Sequence, residues 1–459
     1  MNVFQSISDR SIGWKNHPAI HDKSGTISFL RLLEETRLLA KNLEENGLKP
    51  GMGFGIISQN SRDFIIAILA GLKCETVVMP ISSDLTSTER KEVILRAGLH
   101  AILDLTAFGI KANIEFPKAF DQRIAPHVPN AAFIRFTSGT TGKSKGVIIS
   151  HESVIERIEA ANKGLRLTEN EAVVWVLPIA YHFVVSIILY LYNGTAIILS
   201  EDFLAESIIR IANRFKGTML YASPMHIRLL ASHREKKKFE TVKRVISTSA
   251  TLPPLLCGKF NQKFGIEVCQ AFGIIEVGLP IINFNKATSH PEAVGFSLPD
   301  YTVANLKGNK ETHSHGIMGQ LAIKGPGLFD GYLEPPSSRE ENLQNGWFLT
   351  GDLATISAEG LITIEGRSKS VINVSGNKVF PEEVENVLDL HSSVIQCRVY
   401  SGSHRLTGEI VEAEVIAKAN ADIEEIITHC RKYLSPFKVP QRIQIVDEIE
   451  MTGSGKVKR

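Results

Sequence analysis

Apolar residues recur at helical spacing through Phe29–Glu45 (FLRLLEETRLLAKNLEE), and Gly47 follows as a C-terminal stop. The apolar run Gly53–Ser58 predicts a short strand, Ser61–Leu72 a second helix and Thr76–Ile81 a buried strand. Thr86 opens a helix that runs to Gly98, with Glu89 at capping-box spacing, and Ala101–Leu105 is the next strand. Strand and helix alternating in this rhythm predict βαβ units around largely parallel sheets. Thr218–Ala231 and Val242–Phe260 predict two more such units. Gly51-Met52-Gly53-Phe54-Gly55 lacks the glycine spacing of a dinucleotide turn and reads as a turn entering a strand.

Val173–Tyr192 (VVWVLPIAYHFVVSIILYLY) is almost wholly apolar and long enough to span a bilayer. Pro178, Tyr181, His182 and Ser186 interrupt it, and Asn193-Gly194 gives a turn before another apolar run, Thr195–Leu199. A buried strand ending near Pro178, followed by a packed helix, explains this better than a membrane span.

The pattern changes after about Phe284. Asn283–Pro336 is rich in Gly, Pro, His and Asn with short strands, which predicts a smaller β subdomain at about 283–366. After Gly366 the order becomes strand, helix (Pro381–Leu390), two strands, helix (Ile423–Leu434) and strand, a unit of a size that can fold alone. The expected class is α/β: a large N-terminal domain, 1–366, of parallel α/β sheets plus the β subdomain, and a small α+β C-terminal domain, 367–459.

Composition narrows the class without naming a chemistry. Across 459 residues, 51 Lys and Arg face 49 Asp and Glu, for a net charge of +2. That balance argues against binding of nucleic acid by bulk charge and leaves room for a local basic patch. Five scattered cysteines, with no CxxC pair, fit unpaired thiols in a reducing compartment and neither a disulfide scaffold nor a zinc site. The N-terminal residues show no basic stretch leading into an apolar one, so a cytoplasmic location is expected.

Candidate chemistry begins at Phe136–Val147 (FTSGTTGKSKGV), where three glycines, five hydroxyl side chains and two lysines lie between two strand-like segments. Glycines let backbone N–H groups converge, hydroxyls donate hydrogen bonds and lysines neutralise charge, as a phosphate site requires. It is not a Walker A loop, because the glycine needed five positions before Gly142 is Thr137. Glu276 is an isolated carboxylate in the apolar run AFGIIEVGLP and needs a partner, either a cation with phosphate oxygens or an unseen Lys or Arg. Asp352 follows a glycine at an expected strand end, where a carboxylate can accept two hydroxyl donors.

The run TSGTTGKSKG closely resembles the signature loop of the AMP-forming adenylating enzymes, which include acyl-CoA synthetases, adenylation domains of peptide synthetases and luciferases. Five further motifs follow in that family's order: Phe272-Gly273-Ile274-Ile275-Glu276, Gly319–Pro326 with Gly331-Tyr332, Trp347–Asp352, Gly366–Lys369 and Ser454-Gly455-Lys456. The resemblance runs from about Thr26 to the last residue. It implies an ATP-dependent acid–thiol ligase that forms an acyl-AMP and then a thioester. It also implies that Lys456, Glu276 and Thr137 are catalytic, with Glu276 on Mg²⁺. Ser138, Gly139, Thr140, Thr141, Gly142, Lys143, Lys145, Phe272, Gly273, Asp352 and Arg367 would bind ATP, Phe272 by stacking on adenine and Asp352 through both ribose hydroxyls. Lys369 would be the pivot of a mobile C-terminal lid that carries Lys456, and Gly376 would line the thiol tunnel.

Three departures stand against the family pattern. Ile275 replaces the usual threonine, Ser247–Thr251 replaces a glycine-rich adenine loop, and Glu450-Met451 replaces the usual proline before the final lysine motif. Pro178–Phe183 aligns with the acid pocket, with Tyr181, His182 and Ser249 as substrate-facing positions; Phe183, Val184 and Val185 suggest an apolar pocket for an aromatic or medium aliphatic acid. The thiol is coenzyme A or the phosphopantetheine of a carrier protein, and the basic run Arg234–Lys238 could meet either or be a solvated helix end. The alternative from another class is a non-catalytic nucleotide-binding relative. No nucleic-acid partner is expected.

Overall fold

The computed structural model describes residues 2–106, 114–116, 128–137, 145–235, 237–307, 310–311, 316–404 and 408–451. Two large sheets form the body. In the first, of nine strands, Pro18–Asp22, Ala196–Leu199, Ala172–Trp175, Met219–Ala222, Arg244–Ser247 and Val268–Ile274 are neighbours in that order and all parallel. Gly25–Ser28 closes one edge, and the antiparallel strands Gly278–Ile282 and Phe296–Ser297 close the other. The second sheet has eight strands. Its parallel centre is Ala131–Phe136, Val77–Ser82, Gly53–Ser58 and Ala101–Asp104.

The expected helices form where local signals place them. Phe29–Glu45 is one helix, capped by the Ser28 side chain. Ser61 caps Arg62–Lys73, and Thr86 with Glu89 forms the capping box of Ser87–Ala97. One apolar cluster joins both sheets through Arg62–Lys73, His151–Leu165 and residues 183–192. Elements buried on all sides need no polar face, which accounts for the near-continuous apolar run Val173–Tyr192. Each fully buried Leu, Ile or Phe contributes roughly 1.5–3 kcal/mol. Among the described residues no helix is long and apolar enough to cross a membrane.

That run contains a turn the hydrophobic pattern does not reveal. Ala172–Trp175 is the strand, Ile179–His182 and Ile188–Tyr192 are α-helical, and Phe183–Ile187 between them is π-helical. The Ile188 N–H reaches back to the Phe183 carbonyl. One extra residue per turn at this point re-aims Tyr181 and His182 relative to the apolar stripe behind them.

A six-stranded antiparallel sheet follows, built from Thr302–Lys307, Lys310–Glu311, Gly319–Lys324, Leu343–Gln344, Trp347–Ile356 and Ile362–Arg367. Within the same stretch of chain, Gly331–Tyr332 and Ser337–Ser338 leave this sheet and extend the second large one beside Gly146–Ser150. Asp352 lies inside the ten-residue strand Trp347–Ile356, not at its end. Gly351 takes φ +78°, and the pairing with Gly319–Lys324 shifts register across it, so a bulge does what a strand end was expected to do.

Residues from Ile372 onward form their own five-stranded sheet, with helices Pro381–Leu388 and Ile423–Tyr433 and a separate apolar cluster. This unit touches the body through an ion pair, Arg228 to Asp389 at 2.6 Å, with the Cys397 thiol donating to the same carboxylate. All five cysteines are buried and unpaired. Burial pushes the Cys74, Cys257, Cys269 and Cys430 thiols up to between about 11 and 12 and Cys397 higher still, so these thiols stay protonated at neutral pH.

Candidate active site

The glycine- and hydroxyl-rich loop leaves the strand Ala131–Phe136 and returns as Gly146–Ser150, its antiparallel neighbour. Its base is closed by two bonds: Thr137 N–H donates to the Lys145 carbonyl at 2.9 Å, and Lys145 N–H to the Thr137 hydroxyl at 3.1 Å. Ser138, Gly139, Thr140, Thr141, Gly142 and Lys143 lie outside the described residues, as does Lys456. The exposed Lys145 holds its ammonium 4.3 Å from the centre of the Tyr332 ring. The Tyr332 hydroxyl in turn donates to Glu276 at 3.2 Å. Burial, then the adjacent Glu276 charge, raises the Tyr332 hydroxyl far above its usual range, so it remains a donor.

Glu276 sits in the turn between Val268–Ile274 and Gly278–Ile282. Its expected alternative partner, a Lys or Arg, is not there: among the described residues Glu276 makes no ion pair, and a phenol takes that place. Two long-range contacts hold the arrangement. The Phe329 N–H donates to the Glu276 carbonyl at 2.7 Å. Arg157, 1% exposed on the helix His151–Leu165, donates to the Gly327 carbonyl from Nε (2.9 Å) and Nη2 (2.6 Å) and to the Ile275 carbonyl from Nη1 (2.9 Å). Gly327 has φ +65°, and a Cβ there would stand 2.5 Å from both Arg157 N and Ser153 O, so only glycine fits. The Ile275 side chain turns into the core, 6% exposed.

A second group forms on the six-stranded sheet. Asp352, opposite Arg367 across two strands, accepts from Arg367 Nε at 2.8 Å while its side chain is only 6% exposed. Arg367 also donates to the Thr350 carbonyl at 3.4 Å. The chain then turns, with Ser368 N–H on the Gly351 carbonyl and Ser370 N–H on Arg367. Lys369 is exposed at that turn, and Gly376 is exposed in a two-residue hairpin where Ser375 and Gly376 both have positive φ.

The strand Arg244–Ser247 ends in Thr248-Ser249. Thr248 is tied to Ala222 and Ala271. Ser249 takes φ +79°, a conformation that costs a side chain about 1 kcal/mol or more and that glycine adopts freely. The backbone of a glycine-rich loop is therefore kept here without the glycine. Phe272 and Gly273 are half-buried, and a Cβ on Gly273 would stand 2.8 Å from the Gly278 carbonyl across the hairpin. Tyr181 and His182 are half-buried; His182 meets the Trp175 edge at 5.6 Å, and the Arg135 guanidinium lies 5.5 Å over the Tyr181 ring. Phe183 and Val184 pack into the core. In the basic run, Lys237 is paired with Glu206 (2.6 Å) and Glu235 (2.9 Å) on the surface.

Among the described residues no three His, Cys, Asp or Glu side chains form a metal cage. Glu276 alone matches a hard cation that arrives already coordinated by phosphate oxygens and water. The sequence did not single out Arg157 or Arg135, and it placed Tyr332 in a motif without its role beside Glu276. Each is defined by a partner more than 40 residues away in the chain. A lone arginine on an apolar strand or helix face, as in AAFIRF and VIERIEAA, is the one local sign of two of them.

A parallel α/β body with a cationic hydroxyl loop, an antiparallel sheet bearing a buried aspartate, and a small C-terminal unit together define an adenylate-forming fold. The match to known families agrees. Residues 9–333 match the AMP-binding enzyme family and residues 383–456 the AMP-binding enzyme C-terminal domain, and the chain belongs to this family. It is an AMP-forming acid–thiol ligase. A long-chain-fatty-acid–CoA ligase of Yersinia pestis is 23% identical over 100% of this chain and 93% of its own length. The peroxisomal trans-cinnamate:CoA ligase of Petunia hybrida is 30% identical over 71% of this chain and 60% of its own. The ATP-bound crystal structure of MatB from Rhodopseudomonas palustris superposes with a TM-score of 0.87 at 25% identity, covering 100% and 97% of the two chains.

Proposed function

We propose that this protein is an acyl-CoA synthetase that activates an aromatic or medium aliphatic acid. The observation that carries the reading is the Lys145–Tyr332–Glu276 group at the base of the glycine-rich loop: a cation, a phenol donor and a carboxylate that forms no ion pair among the described residues. The acid carboxylate attacks the α-phosphate of ATP, forming the acyl-AMP anhydride as the bond to pyrophosphate breaks. The thiol of coenzyme A then attacks the acyl carbonyl, the thioester forms and AMP leaves. Positioning and neutralisation of charge account for most of such catalysis.

In this reading Thr137, Ser138, Gly139, Thr140, Thr141, Gly142, Lys143 and Lys145 cradle the phosphates, and Glu276 holds Mg²⁺. That ion would supply charge neutralisation along the triphosphate. Phe272 and Gly273 form the wall at the adenine, Asp352 takes the ribose hydroxyls beside Arg367, and Ser249 faces the acid substrate with Tyr181 and His182. Residues 367–459 form a lid that pivots at Lys369, delivers Lys456 for the first step and Gly376 for the second. The half-buried Val185 near Tyr181 and His182 supports an acid without a second charge, and the relatives named above act on acids as different as cinnamate and long-chain fatty acids. The reading retains a separate carrier protein as the other acceptor and a cytoplasmic location. The test is product analysis over a panel of acids with ATP and coenzyme A. Equal amounts of AMP, pyrophosphate and acyl-CoA are expected, whereas release of ADP and phosphate contradicts the reading.

A further inference from the structure

Two arginines of the body, Arg157 fully buried and Arg135 half-buried, differ in how they are satisfied. Arg157 directs Nε, Nη1 and Nη2 at backbone carbonyls, as a structural arginine does. Arg135 does not. It lies on Ala131–Phe136, two residues before Thr137 and therefore on the same face of the strand. Its Nε is enclosed and has no hydrogen-bond partner, and among the described residues it forms no ion pair. The charged contact it does make is with the Tyr181 ring, 5.5 Å from its guanidinium carbon. Below it on the same face, Phe133 meets Phe183 at 6.0 Å, so the floor is apolar. Burial pulls the guanidinium down to about 10, with Tyr181 and Glu276 opposing, and it stays charged at neutral pH.

A partly desolvated cation with no anion in contact is costly, and a native chain keeps such a group where a ligand completes it. A cation–π contact offsets only about 0.5–2 kcal/mol of that. The planar fork of a guanidinium matches a carboxylate or a phosphate. We propose that Arg135 binds a substrate oxyanion at the wall formed by Tyr181, either the carboxylate of the acid or a phosphate oxygen of the nucleotide. This rests on the ligase reading and adds to it a substrate-binding cation that the family motifs do not contain.

The test compares wild type with Arg135→Leu and Arg135→Gln. It measures unliganded melting temperature, ATP affinity by titration, and the Michaelis constants for acid and ATP in pyrophosphate exchange. Loss of one charge-assisted contact should weaken one substrate by about 10- to 100-fold. The melting temperature should be unchanged or raised, because an unpaired buried charge has been removed. A change confined to the acid assigns the carboxylate, and one confined to ATP assigns the phosphate. Constants within twofold of wild type in either folded variant overturn the proposal. So does a fall in melting temperature with unchanged constants, or failure of both variants to fold, since each marks a structural role. A wild type active in exchange beside unaffected variants overturns the Arg135 role alone. A wild type inert toward every acid overturns the ligase reading and the proposal with it.

Discussion

Glu276 and Asp352 are both low-exposure carboxylates, and they are stabilised in different ways. Glu276 accepts from a phenol, and Asp352 from a guanidinium that is itself 37% exposed. A phenol leaves the carboxylate its full charge for a metal ion, whereas the arginine beside Asp352 orients it toward further donors. In the proposed site those donors are two ribose hydroxyls. Asp352→Ala should therefore weaken ATP binding by about 10- to 100-fold, on the scale of hydrogen bonds to a charged acceptor. Titration with ATP checks this, and an unchanged dissociation constant removes Asp352 from the nucleotide site. At this scale the sequence was informative where chemistry is local. The hydroxyl-rich loop and the lone Glu276 in an apolar run stand out by composition alone. Tyr332 and Arg135 do not, because an aromatic after Gly331 or an arginine in a strand acquires its meaning only from Glu276 and Tyr181, which the fold brings to it.

The strands and helices were largely legible because caps and periodicity are local. Thr86 caps the helix its position predicts, and Ser61 and Ser28 cap the two other helices expected from periodicity. Two features were not. The π turn at Phe183–Ile187 lies in a run apolar on every side, so the period that would reveal it is absent. The bulge at Gly351, where an end to the strand was expected, is a property of pairing with Gly319–Lys324. The loop from Gly325 to Arg339 joins the elements of the site. Arg157 grips it at Gly327, Phe329 bonds Glu276, and Arg339 pairs with Asp330 at 2.6 Å. Gly327→Ala should cost about 2–4 kcal/mol, from a strained positive φ and a clash with backbone atoms. Denaturant unfolding measures that loss directly. A change below about 0.5 kcal/mol, the range of ordinary surface substitutions, would show that the loop is not clamped.

At the scale of the whole molecule, a near-neutral chain concentrates its charge. In the proposed site that charge would come from Lys145, Arg135 and Arg367, which lie in separate segments and two different sheets, together with Lys143 and Lys456. The C-terminal unit has its own sheet and apolar cluster and meets the body at Arg228–Asp389 and where the helix Pro381–Leu388 packs on the strand Ile362–Arg367. Motif order along the chain announced this division, whereas the contact that bridges it is invisible in sequence because Arg228 and Asp389 are 161 residues apart. In the proposed reaction the body and this small unit together form an acyl-AMP. The most direct measurement is ATP–pyrophosphate exchange across a panel of carboxylic acids, with wild type and Lys456→Ala side by side. Exchange should require an added acid and fall by at least about 100-fold in the variant, as loss of a cation at a developing charge entails. Exchange independent of acid, or a Lys456→Ala enzyme as fast as wild type, would contradict it.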